Sequence, residues 1–182
     1  RPEELALGNA PVVIPQPIKW VDERWENLLA YHARGFSGEV EAAVKNDGTI
    51  LGMRMRFVAD MGAYFLIMSP GPPINSVHRS AGPYAIPVMD VECVAVLTNK
   101  PPTGPYRGAG GPEGAYFMER SVDQIAKELG LDPAEVRRRN FIRPEDFPYT
   151  TATGLVYDSG DFQPALDKAL NLADYPGYRK AQ

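Results

Sequence analysis

The sequence predicts an α+β fold in which a mixed sheet containing a β-hairpin packs against helices. Two stretches with the alternation typical of β-strands, 38–60 and 88–97, indicate the sheet. Two stretches with apolar residues at helical spacing, 112–129 and 133–140, indicate the helices. With 182 residues, of which 44% are hydrophobic, the chain is long enough to bury a core of its own.

The hairpin is the clearest local unit. Its strands, 38–45 and 49–60, flank Asn46-Asp47-Gly48, and Asp-Gly between alternating runs is a strong hairpin signal. In the second strand a period of two places Arg54 and Arg56 on one face. The opposite face carries the apolar residues Leu51, Met53, Met55 and Phe57. We therefore expect a sheet that is buried on one side.

Segments rich in proline surround these strands. Residues 2–7 predict a helical turn and residues 18–21 a short strand. Residues 69–83 predict a long irregular connection, and such connections inside a compact domain are often functional. The strand at 88–97 leads into a glycine-rich loop at 100–114. One face of that strand carries Met89, Val91, Cys93, Ala95 and Leu97.

Two helices follow the loop directly. The first has Pro112 in its first turn and ends at Gly130. Its apolar face consists of Ala115, Met118, Val122, Ile125, Ala126 and Leu129. The second helix is capped by Asp132 and runs to about Asn140. Its last turn carries the arginines Arg137, Arg138 and Arg139, which fit either a solvated helix end or an anion site.

The remaining carboxyl-terminal segment predicts a proline-rich loop, a strand near 155–157 and a third helix capped by Asp161. The apolar side of that helix carries Phe162, Ala165, Leu166, Ala169 and Leu170. No internal repeat is visible in the chain.

Composition and charge exclude several functions. A net charge of -4 without a basic run argues against nucleic acid, and no apolar stretch is long enough to span a membrane. No signal-peptide pattern is present, so we expect a cytoplasmic protein. His32 and His78 lack metal-type spacing, so we expect no metal ligands. The single Cys93 is expected to be a buried strand thiol.

The loop at 100–114 is the strongest candidate for a binding site. Its glycines allow close approach of the backbone to a ligand, and its prolines hold the approach extended. Backbone N–H groups there, together with the following helix N-terminus, suit an anion or the edge of a cofactor. An ordinary strand-to-helix connection that needs glycines for its geometry explains the same residues, so the composition leaves both possibilities open.

The ordered motifs of the chain resemble those of a known family. They include the loop at 98–113, Met118-Glu119-Arg120 and the segment 135–142. Supporting motifs lie at 19–24, 59–64, 84–87 and 148–160. From 17 to 172 the chain resembles the molybdenum-binding large subunit of the xanthine oxidase, aldehyde oxidase and carbon monoxide dehydrogenase family, the molybdenum hydroxylases.

This resemblance implies a cofactor and a set of site residues. The expected cofactor is molybdenum-molybdopterin, as the cytosine dinucleotide, and the expected reaction is oxidative hydroxylation of an aldehyde or heterocycle. Tyr106, Arg107 and Gly108 are implied to contact the cofactor through their backbone, and Ala109 and Asn75 to shape the substrate pocket. The implied partners are an iron-sulfur small subunit and an FAD-containing medium subunit, in a dimer of heterotrimers.

Three positions depart from the family's better-known patterns. Gly108 stands where carbon monoxide dehydrogenases carry a copper-binding cysteine, so carbon monoxide is not the expected substrate. Xanthine oxidases carry a purine-stacking phenylalanine where this chain has Ala109, and a purine-binding arginine aligns with Asn75. The loss of the ring and the cation argues against xanthine.

The resemblance also implies that 1–182 is an internal segment of the subunit's molybdopterin-binding domain. A glycine-rich pterin-binding stretch is expected upstream and the general-base glutamate downstream, so no catalytic residue is expected within the segment and the isolated chain is expected to be inactive. An alternative is a non-catalytic assembly module that docks iron-sulfur and flavin subunits. A phosphate or nucleotide binder is disfavoured because no P-loop lysine follows the glycines.

Overall fold

The computed structural model describes residues 17–19, 21 and 23–181. The chain divides into two compact units, 1–31 and 32–182. The first contains helix α1 (Arg24–Ala30), which starts with a capping box in which the N–H of Glu23 donates to Glu26 Oε2 at 2.8 Å. The predicted turn at 2–7 and residue 20 lie outside the described residues. The strand prediction is wrong for residues 18, 19 and 21, because these described residues pair with no strand.

The second unit is built on a three-stranded sheet in the order β1 (Phe36–Val44), β2 (Ile50–Asp60) and β3 (Met89–Val96). Strands β1 and β2 are antiparallel and form the predicted hairpin. Strand β3 runs parallel to β2, so the sheet is mixed, as predicted. In β3 the alternation holds in the first half, where Met89, Val91 and Cys93 are half-buried. It fails at Ala95 and Leu97, which are exposed.

A β-bulge corrects one assignment in the hairpin. Ala43 pairs with Gly52 whereas Val44 pairs with Ile50, which leaves Leu51 as an extra residue in β2. An extra residue reverses which face the preceding side chains occupy. Leu51 is therefore 45% exposed, and Ile50 takes its place in the core with 2% exposure.

Residues 69–83 contain a helix, α2 (Gly71–Arg79), so the prediction of a purely irregular connection is wrong. Pro72 and Pro73 lie in its first turn, where a missing N–H costs no intrahelical bond. Parallel neighbouring strands need a crossover segment, and α2 lies within the crossover from β2 to β3.

The two helices predicted after the loop are confirmed as α3 (Gly111–Leu129) and α4 (Pro133–Asn140). Asp132 caps α4 by accepting from the N–H groups of Ala134 and Glu135. The core packs α3 and α4 against β2 and comprises Ile50, Met53, Met55, Phe57, Tyr84, Ile86, Met118, Val122, Ile125, Ala126 and Val136. Ala115 was predicted on the buried face but is exposed, and the buried residue is Gly114, whose backbone lies against Ser76 of α2.

The carboxyl-terminal segment forms a two-stranded sheet, β4 (Tyr149–Thr150) and β5 (Val156–Tyr157), followed by α5 (Gln163–Leu172) and α6 (Tyr175–Ala181). Asp161 precedes the N-cap Phe162 by one residue, and its carboxylate accepts from the Gln163 N–H at 3.3 Å. Helix α6 was not predicted. In the part of the chain that the structure describes, none of the helices has the length and hydropathy that a membrane span needs.

Candidate functional site

The glycine-rich loop between β3 and α3 has an unusual backbone. Gly108, Ala109 and Gly110 all have positive φ angles, of 92°, 41° and 98°. A Cβ at position 110 would lie 2.0 Å from the carbonyl oxygen of Pro72, so the loop rests directly on the first turn of α2. Successive residues of this kind can present neighbouring N–H groups to one acceptor-rich ligand.

Every carbonyl from 106 to 110 has a partner. The Tyr106 and Gly108 carbonyls accept from the N–H groups of Ala109 and Gly111 within the loop itself, at 2.6 and 2.9 Å. The other three carbonyls accept hydrogen bonds from side chains. Arg34 Nη2 donates to Arg107 O at 2.6 Å and Asn75 Nδ2 to Ala109 O at 3.0 Å. The Ser76 hydroxyl lies 2.9 Å from Gly110 O.

The N–H groups of Tyr106, Arg107 and Gly108, by contrast, have no acceptor among the described residues. All three residues are exposed. Within the same described part of the chain, the Arg107 guanidinium forms no ion pair. The loop therefore offers three backbone donors and one cation on a surface whose carbonyls are already occupied. This arrangement fits a ligand rich in acceptor atoms.

Arg34 and Glu113 flank the loop. Arg34 has a φ of 62°, and its guanidinium lies 5.1 Å from the centre of the Tyr106 ring. Its Nη1 lies 3.5 Å from Glu113 Oε2. Glu113 is only 7% exposed, and its Oε2 forms no hydrogen bond within the described residues. Arg34 thus supplies the nearby positive charge for a buried carboxylate.

Asp60, at the end of β2, fixes the start of the loop. Its carboxylate accepts from Lys100 Nζ and Thr98 Oγ1, each at 2.5 Å, and from the N–H of Gly62 at 3.0 Å. The hydrogen bond from Lys100, followed by that from Thr98, holds the pKa of Asp60 well below its usual range. Asp60 is consequently ionised at neutral pH and ties β2 to the loop.

A second set of contacts extends this anchor. The hydroxyl of Thr103 donates to the carbonyl oxygen of Asp60 at 2.5 Å and lies 3.0 Å from His32 Nε2. The other ring nitrogen of His32 donates to the carbonyl of Pro101. Ser69 donates to Thr103 O at 2.7 Å. His32 is therefore part of a structural network that holds the loop's first residues.

The structure brings some of the predicted site residues together. Tyr106, Arg107 and Gly108 lie exposed on the loop, and Ala109 is half-buried beside them. Asn75 is distant in sequence, yet it contacts Ala109 directly. Their roles toward a cofactor or substrate remain predictions.

Sequence reasoning missed several residues of the site, namely Arg34, Asp60, Ser76 and Glu113. Asp60 and Glu113 were visible only as members of the motifs at 59–64 and 98–113. Arg34 and Ser76 stand in no recognisable local pattern.

The other candidate positions have structural surroundings. Cys93 is half-buried on β3 rather than fully buried, and burial raises the pKa of its thiol. It borders an apolar groove of about 330 Å³ that also contains Phe65, Ile74 and His78. Among the described residues, no cluster of three or more His, Cys, Asp or Glu side chains could hold a metal ion.

The sequence pattern of the molybdopterin cofactor-binding domain matches residues 1–141. The chain belongs to this family. The predicted resemblance to the molybdenum hydroxylases and the α+β fold are therefore confirmed, and binding of a molybdopterin cofactor is the property that defines the domain. The loop fits that assignment, because molybdopterin carries a phosphate and a pterin ring with several acceptor atoms.

Known relatives share the whole segment. The chain is 43% identical over 177 residues to the carbon monoxide dehydrogenase large chain of Hydrogenophaga pseudoflava, covering 95% of this chain and 22% of that protein. It is 34% identical to the nicotine 6-hydroxylase large subunit of Paenarthrobacter nicotinovorans, covering 100% and 22%. The crystal structure of quinoline 2-oxidoreductase from Pseudomonas putida 86 superimposes with a TM-score of 0.90 at 32% identity, covering 100% and 24%. The chain thus spans less than a quarter of each of these relatives.

Proposed function

We propose that this chain forms one wall of the cofactor and substrate cavity in the large subunit of a molybdenum hydroxylase. The observation that carries this proposal is the loop at 106–110, in which all carbonyls are occupied while three exposed N–H groups have no acceptor among the described residues. A strand-to-helix connection with no ligand would not require side chains from two other segments to occupy its carbonyls. An acceptor-rich cofactor edge explains the arrangement.

In this proposal the residues of the chain bind the cofactor and position it. The N–H groups of Tyr106, Arg107 and Gly108 hold the cofactor. When bound, the molybdenum cofactor supplies the oxidative insertion of an oxygen atom from water into a C–H bond of an aldehyde or heterocycle. The general base for that reaction comes from another part of the subunit, and the isolated chain is inactive.

Ala109 and Asn75 shape the substrate side of the loop. The methyl group of Ala109 leaves more space than an aromatic ring would. Asn75 Nδ2 is engaged by Ala109 O, while its Oδ1 has no partner among the described residues. That oxygen can accept a hydrogen bond from a substrate N–H, which favours nitrogen heterocycles.

Carbon monoxide is not the proposed substrate, although one relative is a carbon monoxide dehydrogenase. Gly108 offers no thiolate for copper. Its φ of 92° and the position of Pro112, whose Cδ would lie 2.6 Å from an added Cβ, also disfavour any side chain in this loop conformation. A copper-binding cysteine at this position would therefore require a different loop conformation.

The proposal includes the cytosine dinucleotide form of the cofactor. It also includes an iron-sulfur small subunit and an FAD medium subunit, which together with the large subunit form a dimer of heterotrimers. The relatives support the presence of partner subunits in general, because they are named as large chains or subunits, one of them as subunit gamma of a dehydrogenase complex.

The decisive test is a measurement of molybdenum and released pterin nucleotide by mass spectrometry. It uses the full-length subunit that contains this chain, coexpressed with its partner subunits in molybdate-supplied cells. Stoichiometric metal and cytosine dinucleotide are expected. A folded complex that carries neither would overturn the proposal and favour the assembly module.

A variant pair tests the loop itself. Gly108→Val is expected to lower hydroxylase turnover at least about tenfold, because a side chain there must displace Pro112 or the loop backbone. Lys127→Ala changes an exposed side chain of α3 and is expected to leave turnover unchanged. Equal effects of the two substitutions, with equal thermal stability, would remove the loop from the active site.

A further inference from the structure

We propose that Arg34 is a positioning residue that sets the direction of the peptide between Arg107 and Gly108, with Glu113 holding Arg34 in place. The identity of the group that the Gly108 N–H meets rests on the proposed function. The positioning itself rests on contacts within this chain. The hydrogen bond from Arg34 links a residue that precedes β1 to a loop residue 73 positions later.

The geometry of the peptide bond couples the Arg34 contact to the direction of the Gly108 N–H. The peptide between Arg107 and Gly108 is trans, so its C=O and N–H point in opposite directions. Arg34 Nη2 donates to the Arg107 carbonyl at 2.6 Å. The Gly108 N–H must therefore point away from Arg34, and within the described chain it has no acceptor. The hydrogen bond to the Arg107 carbonyl therefore also fixes the direction of the Gly108 N–H.

This peptide needs an external contact because its own residues do not decide its orientation. Gly108 has no Cβ, so it populates positive and negative φ with similar ease. The plane can then flip by rotation about ψ of Arg107 and φ of Gly108. Among the described residues, Arg34 supplies the only partner of the Arg107 carbonyl. Loss of that bond leaves both orientations accessible.

Arg34 is itself held by two groups. Its guanidinium lies 5.1 Å from the Tyr106 ring centre and 3.5 Å from Glu113 Oε2. Glu113 is buried, and among the described residues its Oε2 accepts no hydrogen bond, so a nearby cation is strongly favoured there. Arg34 therefore has few alternatives to its observed place, in spite of the exposed part of its side chain.

The test uses the full-length complex with Arg34→Met, which keeps the side-chain length but removes the donors. Hydrogen exchange is read at the N–H groups of Ala109 and Gly111, which donate across the turns that contain or follow this peptide. A flip of the peptide alone preserves these bonds, but turns that have lost their anchor on Arg34 open more often, so both groups should lose protection. We expect about tenfold faster exchange there, from the loss of one charge-assisted hydrogen bond. Molybdenum and pterin content are expected to fall at least about twofold.

Three further variants test whether the change in exchange is specific to the contacts of Arg34. Arg34→Lys retains one donor and is expected to restore part of the protection. Glu113→Gln is expected to move exchange in the same direction as Arg34→Met, by a smaller factor. Arg56→Met removes an exposed arginine that pairs with Glu92 on the sheet and is the matched control, with unchanged exchange and cofactor content.

Unchanged exchange at Ala109 and Gly111 in Arg34→Met, or an equal change in Arg56→Met, would overturn the positioning role. If Arg34→Met fails to fold, the comparison of Arg34→Lys with the wild type decides, with faster exchange expected. A wild-type complex without molybdenum or pterin would refute the proposed function, while the exchange data would still decide the role of Arg34.

Discussion

At the scale of single residues, the position of Gly110 shows how tightly the loop is packed. Its φ of 98° and the Pro72 carbonyl together leave no room for a side chain, because an added Cβ would lie 2.0 Å from that oxygen. Strain in the loop backbone and displacement of α2 would both follow from any substitution. The close approach of α2 is what brings Asn75 and Ser76 to the loop carbonyls.

Gly110→Ala is therefore expected to lower the unfolding free energy of the chain by more than about 3 kcal/mol. Gly71→Ala is the matched control. Position 71 lies in the first turn of α2, and an added Cβ there meets nothing within 4 Å. We expect a change of about 0.5 kcal/mol or less, or a slight stabilisation. Urea denaturation of both variants measures the difference, and similar losses at the two positions would contradict the packing argument.

Residue roles at the site could be predicted only in part. Arg107 and Gly108 were visible because a glycine-rich loop before a helix has a recognisable pattern. Arg34 and Asn75 bind loop residues that lie 73 and 34 positions further along the chain, and neither stands in a motif that indicates its partner. Hydrogen bonds between distant residues depend on the tertiary fold, so local patterns could not reveal them.

At the scale of secondary structure, strong periodicity was a reliable guide and prolines were not. The hairpin, β3, α3 and α4 follow from alternation, helical spacing and caps. Helix α2 was missed because its prolines resemble a loop, although prolines in a first turn are compatible with a helix. In the sequence, Leu51 continues the alternating apolar pattern of the residues that follow it, so the pattern gives no sign of an inserted residue. The bulge at Leu51 was therefore missed.

One arginine links α3 and α4 through ion pairs. Arg137 donates to Glu119 Oε2 at 2.8 Å and to Asp123 Oδ1 at 2.9 Å, and its side chain is 19% exposed. Glu119 also accepts from the buried hydroxyl of Tyr84 at 2.8 Å. Of the two alternatives for the three arginines, the structure shows a helix end whose first arginine is engaged with α3.

Arg137→Met is expected to destabilise the chain by about 2 kcal/mol, because it leaves Glu119 without its cation and Asp123 with Arg120 alone. Arg143 forms a comparable pair with Asp146 at 3.1 Å, but its side chain is 68% exposed. Arg143→Met should therefore cost clearly less than Arg137→Met, since exposed pairs contribute little. Chemical denaturation of the two variants under the same conditions checks the ranking, and a larger loss for Arg143→Met would refute it.

At the scale of the whole molecule, the candidate site depends on where the sheet ends. Strands β2 and β3 run parallel, so their carboxyl-terminal ends lie at the same edge. Asp60 ends β2, and the residues after β3 return to it through Thr98 and Lys100. The α+β class followed from sequence patterns, but the parallel pairing and its consequence for Asp60 required the three-dimensional arrangement.

The ionisation of Asp60 should make the stability of the molecule depend on pH. Its pKa in the folded chain is held well below the ordinary value of 3.8 by the hydrogen bonds from Lys100 and Thr98. The stabilisation from the carboxylate is therefore complete above about pH 4 to 5 and is lost as pH falls toward the folded pKa. Salt should weaken the part that comes from Lys100, whose side chain is largely exposed.

Asp60→Asn removes this carboxylate while keeping its shape. We expect the variant to be less stable than the wild type by about 2 kcal/mol near neutral pH, because charge-assisted hydrogen bonds are lost. The difference should shrink progressively below about pH 4, since the wild-type carboxyl then takes up a proton as the chain unfolds. Urea denaturation at a series of pH values measures it. A difference that stays constant down to about pH 3 would show that the charge of Asp60 does not hold the loop to the sheet, since only the neutral contacts of that side chain would then matter.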